Sequence, residues 1–347
     1  MIDNPFIQQL NDAQDVVKTF KDGQKVLDVV DIISNYESHY ALAQAAIKPF
    51  FERQDDVEYQ TEQAILVIKQ QEKNAYSITA LVCAAIKSFG LTMTDKVSIS
   101  PVITAALLSD IGANERVEYH NHQHFMRVVT HIIRLMSTHN FLETNKLSQD
   151  DIAKLMIAAC IHDLGHEGVS NVIEGAYHMA KTELKSFNLA QPFLVQSGLS
   201  NGDLDNIKVM LLTTDVTIFP EVVSPSSYLQ AAYAAHFDGE KLAKEFVPML
   251  LALKSRKDLC LLSMLLHEAD IMNSAGLSYD ITRGESIKVS KESGRSDSLP
   301  EHTLMFLEKI CHGTFFTKAA IVLGNENLKE IISQVELDYK NGNTSYF

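Results

Sequence analysis

Residues 148–171 read SQDDIAKLMIAACIHDLGHEGVSN. The opening Ser148-Gln149-Asp150-Asp151 has the form of a capping box, in which a hydroxyl and a carboxylate three residues apart satisfy the first free N–H groups of a helix. Ile152, Leu155, Met156 and Ala159 then recur at helical spacing and make a buried stripe. Extending the stripe leads to His162, Asp163 and His166, and Gly165 and Gly168 offer places for the helix to end. A histidine nitrogen and an aspartate oxygen thus meet at the inner end of a buried helix. An ionised aspartate there without a partner is very costly. A metal ion removes that cost. A structural His–Asp pair is the bland alternative, and no Arg or Lys lies nearby in sequence to neutralise the carboxylate.

The rest of the chain repeats the helical period. Val, Ile and Leu recur at i, i+3, i+4 with few alternating segments, and only eight prolines and fifteen glycines interrupt them among 347 residues. The expected fold class is all-α. Residues 1–72 read as amphipathic helices rich in Gln, Asp and Lys, broken at Pro49 and at Glu52–Glu58. They are expected either to regulate or to pack on a compact unit spanning 73–347. Thr92–Pro101, Gln196–Asp203 and the polar run Asp280–Pro300 read as loops, the last long enough to cover a pocket.

Composition excludes several classes. Hydrophobic residues make up 46% and charged residues 21%, enough for a core and against disorder. A net charge of −14 with no basic stripe argues against nucleic acid as a partner. Cys83, Cys160, Cys260 and Cys311 are scattered among apolar residues with no CxxC pair, so buried free thiols are expected. No apolar run approaches a membrane span, and the N-terminus lacks a signal peptide's basic start and apolar core. A cytoplasmic setting follows, with export by a signal-less route compatible. A homodimer through helices is compatible too.

Two further segments carry ligand chemistry. In Tyr119-His120-Asn121-His122-Gln123-His124, His120 and His124 stand i,i+4 on one helix face continued by Val128. His122 is expected on another side, exposed. In the apolar run from Leu259 to Asp270, Asp270 prolongs the face of Leu259, Leu262 and Leu266, and Asn273 follows one turn later. A helix end reaching solvent is the plain alternative for Asp270.

Tyr-His-Asn-x-x-His at 119–124, His-Asp-x-x-His-x-Gly-x-x-Asn at 162–171, Thr-Asp at 214–215 and Ala-Asp-Ile-x-Asn at 269–273 occur in this order. In order and spacing they resemble the catalytic domain of class I 3′,5′-cyclic nucleotide phosphodiesterases, within the HD-type metal phosphohydrolases. The resemblance implies that His124, His162, Asp163 and Asp270 hold a first divalent metal, typically zinc. Asp163 would bridge to a second, magnesium or manganese. His166 would order water there, and His120 would be the general acid that protonates the leaving O3′ as a metal-bridging hydroxide attacks. Asp215 and Asn171 would support the ligands from behind. Asn273 would border the nucleotide pocket.

The sequence departs from that family at two places. Thr303 stands three residues before Phe306, where a glutamine that reads the purine is expected before a base-stacking phenylalanine. The family's Glu-Asn-His-His segment is missing, with only Gln191–Gln196 in its region. These departures keep two alternatives open: a phosphohydrolase for another nucleotide or phosphodiester, and a non-catalytic effector with a structural metal site.

Overall fold

Periodic apolar side chains produce sixteen α-helices among the described residues of this computed structural model, which are 6–20, 29–73, 76–92, 99–242, 245–342 and 345–346. The first seven are α1 (Ile7–Val17), α2 (Val29–Ser34), α3 (Tyr36–Ile47), α4 (Pro49–Glu52), α5 (Val57–Gln71), α6 (Ile78–Ser88) and α7 (Ile99–Gly112). Then follow α8 (His122–Leu142), α9 (Gln149–Ile161), α10 (Lys181–Gln196), α11 (Asn201–Leu212) and α12 (Pro225–Tyr233). The last are α13 (Lys257–Ala275), α14 (Tyr279–Glu292), α15 (Pro300–Met305) and α16 (Lys318–Lys340). The only strands among the described residues are a two-residue antiparallel pair, Val172–Ile173 with Ala176–Tyr177. The all-α expectation holds.

Small polar residues set the helix starts. The side chains of Ser77, Ser148, Ser200, Ser224 and Ser278 each accept a backbone N–H at the head of a helix, and Ser148 completes the capping box with Asp151. Helix α7 is buried along nearly its whole length and therefore lies at the centre, packed by α1, α6, α9 and α10. Helix α8 is the second central element, held between α9, α13, α16 and α5. Helices α1, α3 and α5 thus lie against the core. All four cysteines are buried and free.

Three sequence expectations change. Asp280–Pro300 is not one loop: α14 occupies its first part. Helix α14 faces inward with polar Thr282, Glu285 and Ser290, so it lacks the apolar stripe that marks a helix. Second, α8 begins at His122 with Asn121 as its cap, so His120 lies ahead of the helix rather than on it. Third, His122 is buried, not exposed, and its Nε2 bonds Asp110 Oδ1 at 2.9 Å. The expected loop at Thr92–Pro101 falls largely outside the described residues; that at Gln196–Asp203 shortens to the four residues between α10 and α11.

Asp110 is the buried clasp of this assembly. Its carboxylate accepts from Ile78 N, Thr79 N and Thr79 Oγ1 as well as from His122, tying the starts of α6 and α8 to α7. At the end of α7, Gly112 lets the turn after α9 approach: a Cβ there would stand 2.6 Å from Leu164 Cδ1. Replacing Asp110 by alanine strands four donors in the interior. The expected cost is about 3 kcal/mol or more, read as a lowered urea midpoint with unchanged slope.

Candidate metal centre and active site

Helices α8, α9 and α13 pack on one another, and their polar ends converge. His124 comes from the first turn of α8, His162 caps the C-terminus of α9, Asp163 follows it, and Asp270 lies in the last turns of α13. His124 Nε2 stands 3.1 Å from His162 Nε2, 3.1 Å from Asp163 Oδ2 and 3.3 Å from Asp270 Oδ1. His162 Nε2 stands 3.2 Å from Asp163 Oδ2 and 3.8 Å from Asp270 Oδ1. Ligand atoms about 2.1 Å from a shared ion lie about 3.0 to 3.4 Å apart, depending on geometry. Four of these five separations fall in that range, and His124, His162 and Asp270 form a group able to hold an ion, with Asp163 beside it. His162 Nδ1–H donates to Ala159 O at 2.9 Å, which fixes the tautomer that presents Nε2 to the centre.

Electrostatics agree with the geometry. Burial works to raise Asp163 and Asp270, but the facing histidines outweigh it and hold both below the usual carboxylate range. Burial likewise opposes a charge on His124, yet Asp163 and Asp270 push it up to about 9. The cluster thus draws in positive charge. His166 is different: burial and then His120 push it down to about 4. Its Nδ1 accepts Gly168 N–H at 3.1 Å, and its ring lies on that of His120 with centroids 3.9 Å apart.

His120 sits beside the centre with Nε2 4.0 Å from Asp163 Oδ2. Its Nδ1 bonds Glu292, whose other oxygen accepts Tyr119 N at 2.7 Å and His120 N at 3.0 Å. Burial disfavours the Glu292 carboxylate, but these bonds hold it at about 2, so it stays ionised. Glu292 ends α14, and the reading of that stretch as a loop is why sequence reasoning missed it. The helix signals were there: Ser278 as cap at one end, Gly294 with φ 68° at the other.

The remaining expected residues lie close by or apart. Asp215 accepts from Tyr177 Oη–H at 2.6 Å, Ala180 N at 2.9 Å and Thr217 N at 2.9 Å. Asn171 Oδ1 accepts Thr182 N at 2.9 Å, and its amide donates to Glu183 at 3.0 Å. Both residues brace the segment leading into α10 and hold no place in the cluster. Buried Glu183, which sequence reasoning did not single out, is pushed up to about 8 by burial, then by Asp215. Thr303 and Phe306 line a cavity of about 320 Å³ that also reaches Tyr119, His120 and Asp270. Asn273, expected at its border, does not line it and is buried deeper in α13.

The family model for 3′,5′-cyclic nucleotide phosphodiesterase matches residues 119–293, half of the chain. The protein belongs to that family. Among solved structures, the phosphodiesterase domain of the RhoPDE fusion protein from the choanoflagellate Salpingoeca rosetta shares its fold, with a TM-score of 0.53. The two are 15% identical, over 77% of this chain and 92% of that one. No curated protein matches the chain. As a cyclic nucleotide phosphodiesterase the protein belongs to a family of divalent-metal enzymes, and the four-donor cluster fits such an ion.

Two results are expected of chelator-stripped phosphodiesterase titrated with zinc against a chromophoric competitor. His162→Ala should weaken binding at least tenfold, because one of four ligands is lost. Wild-type affinity should fall as pH drops below about 9, because His124 must shed its proton to ligate.

Proposed function

We propose that this phosphodiesterase hydrolyses a purine 3′,5′-cyclic nucleotide to the 5′-monophosphate, with zinc at His124, His162, Asp163 and Asp270 and magnesium or manganese beside Asp163. Bound divalent ions would supply the charge that offsets the phosphodiester anion and makes water a usable nucleophile at neutral pH. The observation that carries the reading is His120, set between Asp163 and Glu292 at the wall of the cavity. With Nδ1–H donated to Glu292, Nε2 is the nitrogen left to hand a proton to the departing O3′, a poor leaving group without it. Ionised Glu292 fixes that tautomer and the ring's aim. Asp270 and His120 both line the cavity, so the phosphate belongs at that end and the base near Thr303 and Phe306. His166, packed against His120 and low in proton affinity, suits a water-ordering role. Helices α1, α3 and α5 fit as a brace on the catalytic core.

Metal-loaded protein should turn over cyclic AMP, cyclic GMP or both. Cleavage of some other phosphodiester with neither of these cut would overturn the reading. His120→Ala should lower kcat by about 10² to 10⁴ with little change in zinc content. Glu292→Gln should lower kcat more than it raises KM, since it acts through His120. Unchanged function in His120→Ala would favour a structural metal site instead.

A further inference from the structure

The cavity wall shows which base it fits. Among the described lining residues, Arg295 is the one arginine or lysine, and there is no asparagine or glutamine. Its place follows from a turn. Helix α14 closes with Gly294 N bonded to Lys291 O at 2.9 Å and Arg295 N bonded to Ser290 O at 2.9 Å, with Gly294 in the left-handed region at φ 68°. In this Schellman turn the residue after the glycine folds back toward the last turn of the helix. Here that residue is an arginine, where an apolar one is usual.

The hydrogen bonding around Arg295 is one-sided. Nη1 donates to His302 Nδ1 at 3.0 Å. A guanidinium can only donate, so His302 accepts at Nδ1 and carries its proton on Nε2. Arg295 Nε is buried and has no partner in the protein, a donor that an acceptor from outside would satisfy. The other polar groups are spoken for or indifferent. Glu285 is held by Arg127 at 2.8 Å and Lys288 at 2.9 Å. Ser286 bonds Thr303 at 2.7 Å and Ser298 at 3.1 Å, and hydroxyls can turn to donate or accept. The fixed polar groups at the Thr303 end are therefore donors.

We infer that Arg295, with His302, is the base-reading residue of this site and selects guanine over adenine. The inference rests on the proposed reaction. Guanine presents two acceptors, O6 and N7, along one edge, which a guanidinium meets with paired donors; adenine offers N7 beside an amino group that also donates. Thr303, too short for a paired contact, then serves to hold Ser286 and the wall, and Phe306 offers a face for the base.

The test measures kcat/KM of the metal-loaded enzyme for cyclic GMP, AMP and UMP, and binding of 5′-GMP and 5′-AMP by calorimetry. Cyclic GMP should be preferred over cyclic AMP by about tenfold or more, with 5′-GMP bound more tightly than 5′-AMP. Arg295→Met should collapse that ratio toward one, chiefly through KM for the guanine nucleotide. Should that variant fail to fold, Arg295→Lys, which keeps the charge but loses the fork, should narrow the ratio too. Equal or better use of cyclic AMP or UMP by the wild type, or equal losses on guanine and adenine substrates in the variant, would overturn the inference while leaving the proposed reaction standing. Tighter 5′-GMP than 5′-AMP binding, lost in Arg295→Met, without turnover of any cyclic nucleotide would support the base assignment and reject the reaction.

Discussion

Two aspartates and two histidines aimed at one point in a water-poor interior constrain everything around them. Asp163 and Asp270 would repel each other and suffer the cost of burial if left alone. The arginines of α8, the helix that carries His124, are engaged elsewhere: Arg127 with Glu285, Arg134 with Thr61. Compensation has to come from His124 and His162 with a proton or a metal ion between them. The architecture serves that meeting. Helices α8, α9 and α13 must cross closely, α9 must end where it does, and the turn through Leu164 must fit under Gly112.

This centre was legible in the sequence because it violates the pattern around it. His162, Asp163 and Asp270 stand where a stripe of apolar residues should continue, and that contradiction is itself the signal. The expectation for His122 failed for a mechanical reason. Residues 124–139 of α8 are all buried, so the side of the helix away from His124 is no solvent face, and His122 meets Asp110 there. Its partner Asp110 lies on α7, whose all-round apolar character gave no hint of an inward-facing carboxylate. Asn273 was placed by resemblance, one turn beyond Asp270; that turn carries it away from the cavity into the helix packing.

Helix α14 was the larger omission, and its cause is functional. A helix that lines a polar cavity has no need of a hydrophobic stripe, so periodicity is silent where the site is being built. Thr282, Ser286 and Val289 form the wall of the cavity, Glu285 pairs with Arg127, and Glu292 closes the helix against His120. Serine content made the run look like loop, while its cap and its closing glycine were the surviving cues.

The two halves of the chemistry are therefore carried by different elements. The residues that could hold a metal belong to α8, α9 and the end of α13, which are locked into the core by their apolar faces. His120, the proposed proton donor, stands outside α8, held by two bonds of its own and one from Tyr119 to the carboxylate of Glu292, the last residue of α14. Helix α14 is in turn fixed at its first residue, where Tyr279 bonds Asp338 of α16, and on the cavity wall, where Thr303 and Ser298 bond Ser286. In the proposed reaction a displacement of α14 would thus move the acid, the base-facing wall and Arg295 together. Proton donation and base choice are there coupled through one helix, which also touches the frame of the metal cluster through its packing on α13 and the Arg127–Glu285 pair.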